Sequence, residues 1–166
     1  LGILFMLQKH NGECFKFMLL KCWREIMSKF KKVFLGTDGG SRGNPGPSAI
    51  GYGIYDQDWN AIEEKSEYIG KGTNNEAEYR ALVAALERAA RYCKDDVEHY
   101  SDSELLVRQL MGVYRVKAGN LKPLFGKVST LSKKFGSVKH HHVRRTDKRL
   151  ARIDGLVNEA LDGAGY

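Results

Sequence analysis

Thr37-Asp38-Gly39-Gly40-Ser41-Arg42-Gly43-Asn44-Pro45-Gly46-Pro47 is the stretch from which the rest of the chain can be read. Val33-Phe34-Leu35 before it is β-prone, and Ala49-Ile50-Gly51-Tyr52-Gly53-Ile54-Tyr55 after it alternates small with bulky residues as a strand does. The pattern predicts a strand ending at Asp38, a turn punctuated by glycine and proline, and a second strand running to Tyr55. A carboxylate at a strand end is held more rigidly than one on a loop, which suits a metal ligand. The glycines, lacking a Cβ, leave room for the backbone of a large ligand. A hairpin carrying an incidental aspartate fits the stretch equally well.

The chain has 166 residues, enough for one domain with a real core. Its three cysteines, Cys14, Cys22 and Cys93, are odd in number and lack CxxC spacing. They outline neither a disulfide framework nor a zinc site, and they fit a reducing, cytoplasmic setting. Charge is segregated. Asp38 to Glu104 carries 7 basic and 14 acidic residues, whereas Leu105 to Arg152 carries 13 basic residues and the single acid Asp147. Acids gathered at a centre with cations beside them fit a polyanion such as nucleic acid. A solvated basic face without a partner is the plainer alternative.

The first 26 residues differ from the rest. Phe15, Phe17-Met18-Leu19-Leu20 and Trp23 are interrupted by Lys9, His10, Glu13, Lys16 and Lys21. No run reaches the ~20 apolar residues of a membrane span, and a signal peptide is a poor match. Met27-Ser28-Lys29 would make a natural start, so residues 1–28 are expected to be an extension outside the fold and 29–166 the domain. A short amphipathic helix packed on the domain is the alternative for the extension.

From Lys29 the elements follow in the order β-β-β-α-β-α-α-β-α, a mixed sheet with helices on its faces. A turn at Asp56 to Asn60 leads to a third strand near Ala61 to Ile69. Leu82, Val83, Ala85, Leu86, Ala89 and Ala90 mark a helix reaching Tyr92, with Thr73, Asn74 and Asn75 offering N-cap chemistry. The fourth strand is expected over Val97 to Asp102 and a helix over Ser103 to Met111. Another helix follows around Leu121 to Leu131, then a fifth strand over Ser137 to Val143 and a last helix over Arg149 to Leu161.

Helical phase then singles out acids. Glu78 shares a face with Leu82, Ala85, Leu86 and Ala89, and Asp154 lies in phase with Leu150, Val157 and Leu161. An acid facing the sheet is costly unless something cationic compensates. With Asp38 and Asp102, four carboxylates converge above neighbouring strands, and a hard divalent cation such as Mg²⁺ or Mn²⁺ is the natural relief. Two such ions ~3.5–4 Å apart can activate water and stabilise a leaving oxygen in phosphodiester hydrolysis. Taken singly, each acid has a bland reading: Asp102 before Ser103 as a helix N-cap, Glu78 and Asp154 as partly exposed.

Taken together, these residues resemble ribonuclease HI, the type 1 ribonuclease H family. The resemblance rests on Thr37-Asp38-Gly39-Gly40-Ser41 with Gly43-Asn44-Pro45-Gly46-Pro47, on Thr73-Asn74-Asn75-Glu76-Ala77-Glu78, on Ser101-Asp102-Ser103, and on Asp154 with Val157-Asn158-Glu159-Ala160-Leu161-Asp162. It covers Lys29 to Asp162, with the pieces in the family's order. It implies an α/β (mixed α+β) fold, a five-stranded mixed sheet in order 3-2-1-4-5 flanked by helices. It also implies a monomeric endonuclease cutting the RNA strand of RNA–DNA hybrids with two divalent metals. Asp38, Glu78, Asp102 and Asp154 would be its catalytic, metal-binding carboxylates. Gly39, Gly40, Ser41, Asn44, Asn74 and Asn75 would contact the hybrid, and Thr73 would help hold a phosphate of the DNA strand.

Four departures accompany the likeness. Val113 to Pro123 is short and lacks tryptophan, as in the handle-less branch, which leaves hybrid binding to Lys117, Lys122, Lys127, Lys133 and Lys134. Glu104 stands where many members have glutamine. Leu150-Ala151-Arg152-Ile153 precedes the fourth acid in place of an Asn-x-x-Ala run. Arg144 aligns with the family's mobile histidine, so product release falls to Arg144 or to His142 among His140, His141 and His142. A non-catalytic hybrid-binding module and another nuclease of the same fold are the rival readings.

Overall fold

The computed structural model describes residues 29–166; the expectations for residues 1–28, the extension and its amphipathic alternative, lie outside the described residues. The described elements are β1 (Phe30–Ser41), β2 (Gly46–Tyr55), β3 (Ala61–Gly72), α1 (Asn74–Ala89), β4 (Cys93–Ser101), α2 (Glu104–Leu110), α3 (Leu121–Ser132), β5 (Ser137–His142) and α4 (Lys148–Gly163). The sheet order is β3-β2-β1-β4-β5. β1 and β3 run antiparallel to β2, while β4 pairs in parallel with both β1 and β5. This is the expected mixed sheet.

Alternation along β2 explains its two coverings. Tyr52 and Ile54 face α1 and join a core with Leu82, Leu86, Val33, Leu35 and Val97, while Ile50 meets the same helix at Ala77 and Ala81. Ala49, Gly51 and Tyr55 face α4, against Val157, Leu161 and Ile153. The small residues let α4 sit deep: a Cβ on Gly51 would lie 2.9 Å from Val157 Cγ2 and 3.0 Å from the Ile153 carbonyl oxygen. Among the described residues no helix is long and apolar enough to cross a membrane.

Several boundaries depart from the sequence reading, β3 running on to Gly72 and α1 stopping at Ala89 among them. β1 does not end at Asp38 but continues to Ser41, pairing Gly39 with Ile50, Gly40 with Ala49 and Ser41 with Ser48. The turn is therefore confined to Arg42, Gly43, Asn44 and Pro45, and only Gly43 there needs the left-handed region (φ +97°). What does end near Asp38 is the parallel pairing: β1 and β4 part after Gly36 and Tyr100. β4 in turn starts at Cys93 rather than Val97, because Cys93 pairs with Phe30 at the first step of β1.

Candidate active site

Asp38, Glu78 and Asp102 meet at the end of that parallel pair. Alternation on β1 puts Asp38 on the α4 side of the sheet with Gly36 and Gly40, while Thr37 and Gly39 lie on the α1 side. Thr37 is fully buried and its Oγ1 lies 2.7 Å from His99 Nε2, which ties β1 to β4 immediately before the acid. The helix carrying Glu78 is started by a capping box. The Thr73 side chain accepts from the Glu76 N–H, and Glu76 Oε2 accepts from the Thr73 N–H. Two residues further on, Glu78 is 4 % exposed, so its in-phase position with the apolar stripe is realised as burial.

Gly39 decides how close these elements come. A Cβ there would stand 2.3 Å from the Glu78 backbone nitrogen and from the Ala77 carbonyl carbon. The space read from sequence as room for a ligand is filled by the backbone of α1 itself. Asp102 follows β4 directly, and the N-cap of α2 is Ser103, whose hydroxyl accepts from the Leu106 N–H. The carboxylate of Asp102 is thereby left free of capping.

One oxygen from each of Asp38, Glu78 and Asp102 lies within 4.8 Å of the others. Burial, reinforced by the charges of Asp102 and Asp154, pushes Asp38 up to about 6. Burial first, then Asp38 and Asp102, holds Glu78 well above the ordinary carboxylate range. The Gly39 N–H and the Arg145 guanidinium pull both back down. Glu78 Oε2 is buried without a hydrogen-bond partner among the described residues. Three close acids with an orphaned oxygen fit a hard divalent cation, which would relieve repulsion and desolvation together.

Asp154 lines the same cleft of about 420 Å³ but stands outside the trio. Its Oδ1 accepts from Arg145 Nη2 at 3.4 Å and its Oδ2 from Asn158 Nδ2 at 3.3 Å. Gly40, Ser41 and Asn74 also line the cleft. Asn44 is held against the start of α1, its Oδ1 accepting the Asn74 N–H at 3.2 Å, while Asn74 and Asn75 are exposed. The hydroxyls of Thr73 and Ser41 are spent internally, on Glu76 and on the Gly43 and Gly72 carbonyls.

His142 is exposed, with Nε2 3.3 Å from the Asp102 carbonyl oxygen, and Arg144 is exposed in the following loop. Neither lines the cleft; Arg145 does. His140 and His141 alternate as adjacent strand residues must: His140 meets His99 at 3.0 Å on one face, and His141 stacks on Tyr100 on the other. Sequence reading missed Arg145, Asn158 and the N-cap role of Asp147, whose side chain accepts from the Arg149 N–H. Only the last had a legible signal, an aspartate just before an apolar-periodic run.

Of the basic residues expected to grip a hybrid, Lys127 is paired with Glu87 at 2.9 Å, joining α3 to α1. Lys117, Lys122, Lys133 and Lys134 are exposed.

A family model described as "Reverse transcriptase-like" matches residues 36–159. The chain is 42% identical over 127 residues to ribonuclease HI of Halobacterium salinarum, covering 76% of this chain and 63% of that protein. It is 37% identical over 134 residues to the bifunctional protein Rv2228c of Mycobacterium tuberculosis, covering 80% of this chain and 36% of that one. The chain thus spans under two thirds of the length of either relative. Among solved structures, it superposes on LC11-RNase H1 in complex with an RNA/DNA hybrid with a TM-score of 0.75 at 43% identity, covering 81% of this chain and 99% of that one. On the RNase H1 of Halobacterium salinarum the TM-score is 0.75 at 40% identity, with coverage of 80% and 98%.

Proposed function

Because the chain belongs to the ribonuclease HI family, the type 1 ribonucleases H, we propose that it is a metal-dependent endonuclease of RNA–DNA hybrids. It would hydrolyse the RNA strand, leaving 5′-phosphate and 3′-hydroxyl ends. The observation that carries this reading is the convergence of Asp38, Glu78 and Asp102 within 4.8 Å, with Glu78 Oε2 buried and unpartnered among the described residues. A protein that only bound a polyanion would gain nothing from acids sunk in its cleft. A solved relative bound to an RNA/DNA hybrid supports the substrate class.

Asp38, Glu78 and Asp102 would hold Mg²⁺ or Mn²⁺, two ions with substrate present, and Asp154 would complete the ligand set. Bound there, such ions would neutralise the acids and supply the Lewis acidity that activates water toward a phosphodiester. The protein's own part is positional. The Gly39 N–H and Arg145 temper the negative field, and Arg145, held by a long, exposed ion pair to Asp154, would turn to meet a phosphate in the cleft. Gly40 and Ser41 form cleft wall beside the strand being cut. Asn44, Asn74 and Asn75, at the start of α1, would read 2′-hydroxyls and minor-groove edges, which distinguish an RNA strand from DNA. With the Thr73 hydroxyl engaged in its cap, a DNA-strand phosphate would be held by the helix end it organises. The product-release role expected of His142 or Arg144 belongs to the same segment, and Arg145 is its member in the cleft. A reducing, cytoplasmic compartment fits the buried free thiol of Cys93, and the protein would act as a monomer.

The test is cleavage of an end-labelled hybrid beside single-stranded RNA, double-stranded RNA and double-stranded DNA, with Mg²⁺, Mn²⁺ or EDTA. Metal-dependent cutting of the hybrid's RNA strand, lost in Asp102→Asn, is the expected result. A hybrid bound but never cut with either metal would overturn the catalytic reading in favour of a binding module.

A further inference from the structure

We infer that Asn158 is a positioning residue that sets the direction of the Asp154 carboxylate, an inference that rests on the metal-dependent reading above. Asn158 lies one helical turn after Asp154 on α4. Its Nδ2 donates to that residue twice, at 3.0 Å to the backbone carbonyl oxygen and at 3.3 Å to Oδ2. The other oxygen, Oδ1, accepts from Arg145 at 3.4 Å. Each carboxylate oxygen therefore has its own donor, one from the helix and one from the preceding loop. Both Asp154 and Asn158 line the cleft that holds the three convergent acids.

The two donors are not equivalent. The Arg145 side chain is 82% exposed and the ion pair is long, so solvent and salt compete with it. A phosphate entering the cleft would compete as well, since a guanidinium matches phosphate geometry. Asn158 is exposed too, but its amide is anchored to the helix backbone at 3.0 Å and, being neutral, draws a phosphate far less than a guanidinium does. Once Arg145 is engaged by substrate, Asn158 alone keeps Asp154 turned along α4 toward the cleft rather than out to solvent. An amide suits this task, because it donates without adding charge. A lysine one turn on would pair with Asp154 and compete with any cation the carboxylate has to hold.

Asn158→Ala, Asn158→Gln and Asn158→Lys in the full chain test the assignment. The readouts are kcat and KM on an RNA–DNA hybrid, the affinity of the free protein for Mg²⁺ and Mn²⁺ by calorimetry, and Tm in EDTA. Asn158→Ala is expected to lower kcat and cation affinity roughly tenfold, as loss of a donor to a metal-binding side chain commonly does. KM for the hybrid should stay within about twofold, because the amide is not itself a hybrid contact. Tm should hold, since Asn158 is exposed. Asn158→Gln should recover most of the loss, and Asn158→Lys should lose more than alanine does.

Wild-type kcat and cation affinity in Asn158→Ala would overturn the assignment. So would a loss that tracks a fall in Tm, or a glutamine variant as poor as alanine. Failure of the functional reading looks different: the wild type itself would not cut the hybrid, while calorimetry on the free protein would still read whether Asn158 governs cation binding.

Discussion

Gly39 lies against the backbone of Glu78 with no room for a side chain between them, a Cβ there standing 2.3 Å from the Glu78 nitrogen. The strand that carries the first acid and the helix that carries the second are thus joined through main chain. Their separation depends on backbone contact rather than on rotamers.

Gly39→Ala should therefore damage both stability and chemistry. Forcing a methyl into a packed contact costs about 1–3 kcal/mol, which for a domain of this size is a fall in Tm of roughly 2–10 °C. Glu78 would be displaced with α1, so cleavage should fall further than the folded fraction does. A variant with wild-type Tm and rate would mean that the contact between Gly39 and Glu78 is unimportant.

The raised carboxylates predict how stability follows pH. Asp38 sits at about 6 and Glu78 well above its ordinary value, so the native state binds these protons more tightly than the unfolded chain. The stability this gives is fully present below about pH 4 and is lost as pH rises through 6 and beyond. In EDTA, Asp38→Asn should be more stable than the wild type above pH 6 by roughly 1–3 kcal/mol, with the difference vanishing near pH 4. Added Mg²⁺ or Mn²⁺ should raise the wild-type Tm at neutral pH more than that of the variant. Parallel curves of Tm against pH in EDTA would contradict the repulsion.

Binding and cutting should separate in the acid variants. Asp102→Asn and Glu78→Gln remove negative charge from a site facing a polyanion. Hybrid affinity in EDTA should hold or rise, while metal-dependent cleavage falls roughly a hundredfold or more. Filter binding and single-turnover cleavage on the same preparations measure both. Weakened binding in step with the lost rate would mean the acids act on substrate affinity instead.

The exposed lysines predict salt dependence. Lys122→Ala should weaken hybrid binding at all sequences alike and lower the slope of log K against log salt by about 1. Lys127→Ala should lower it less, because Lys127 already pairs with Glu87. Equal slopes for all three proteins would take Lys122 out of the interface.

Much of this architecture was open to sequence reading. The strand and helix order followed from alternation and helical phase, and the burial of Glu78 from its place on the apolar stripe of α1. The extent of β1 was not legible, because Gly39-Gly40-Ser41 has turn composition. Gly39 and Gly40 stay extended because helices press on the strand from both sides, leaving little room for a Cβ at either position. Whether Asp102 was cap or ligand could not be decided from its place beside Ser103; the helix start had to be known to one residue. Arg145 was out of reach, since a loop without periodicity does not say which of two adjacent arginines turns inward. Asp154 lines the same cleft as the other acids but stands outside their trio, and its ties to Arg145 and Asn158 exist only once loop and helix are folded together.

The glycine face of β2 has a consequence for how this enzyme family could be tuned. Val157 and Ile153 rest almost on the β2 backbone at Gly51, so contact with the strand limits the height of α4 above the sheet there. Asp154 rides on the same helix and inherits that height. A strand that contributes no reacting group therefore acts as a spacer gauge for the fourth acid. Enlarging Gly51 by a single methyl would press on Val157 and Ile153, lift the helix and retract Asp154 without altering any of the four acids, a route by which drift in the scaffold could silence or retune the chemistry.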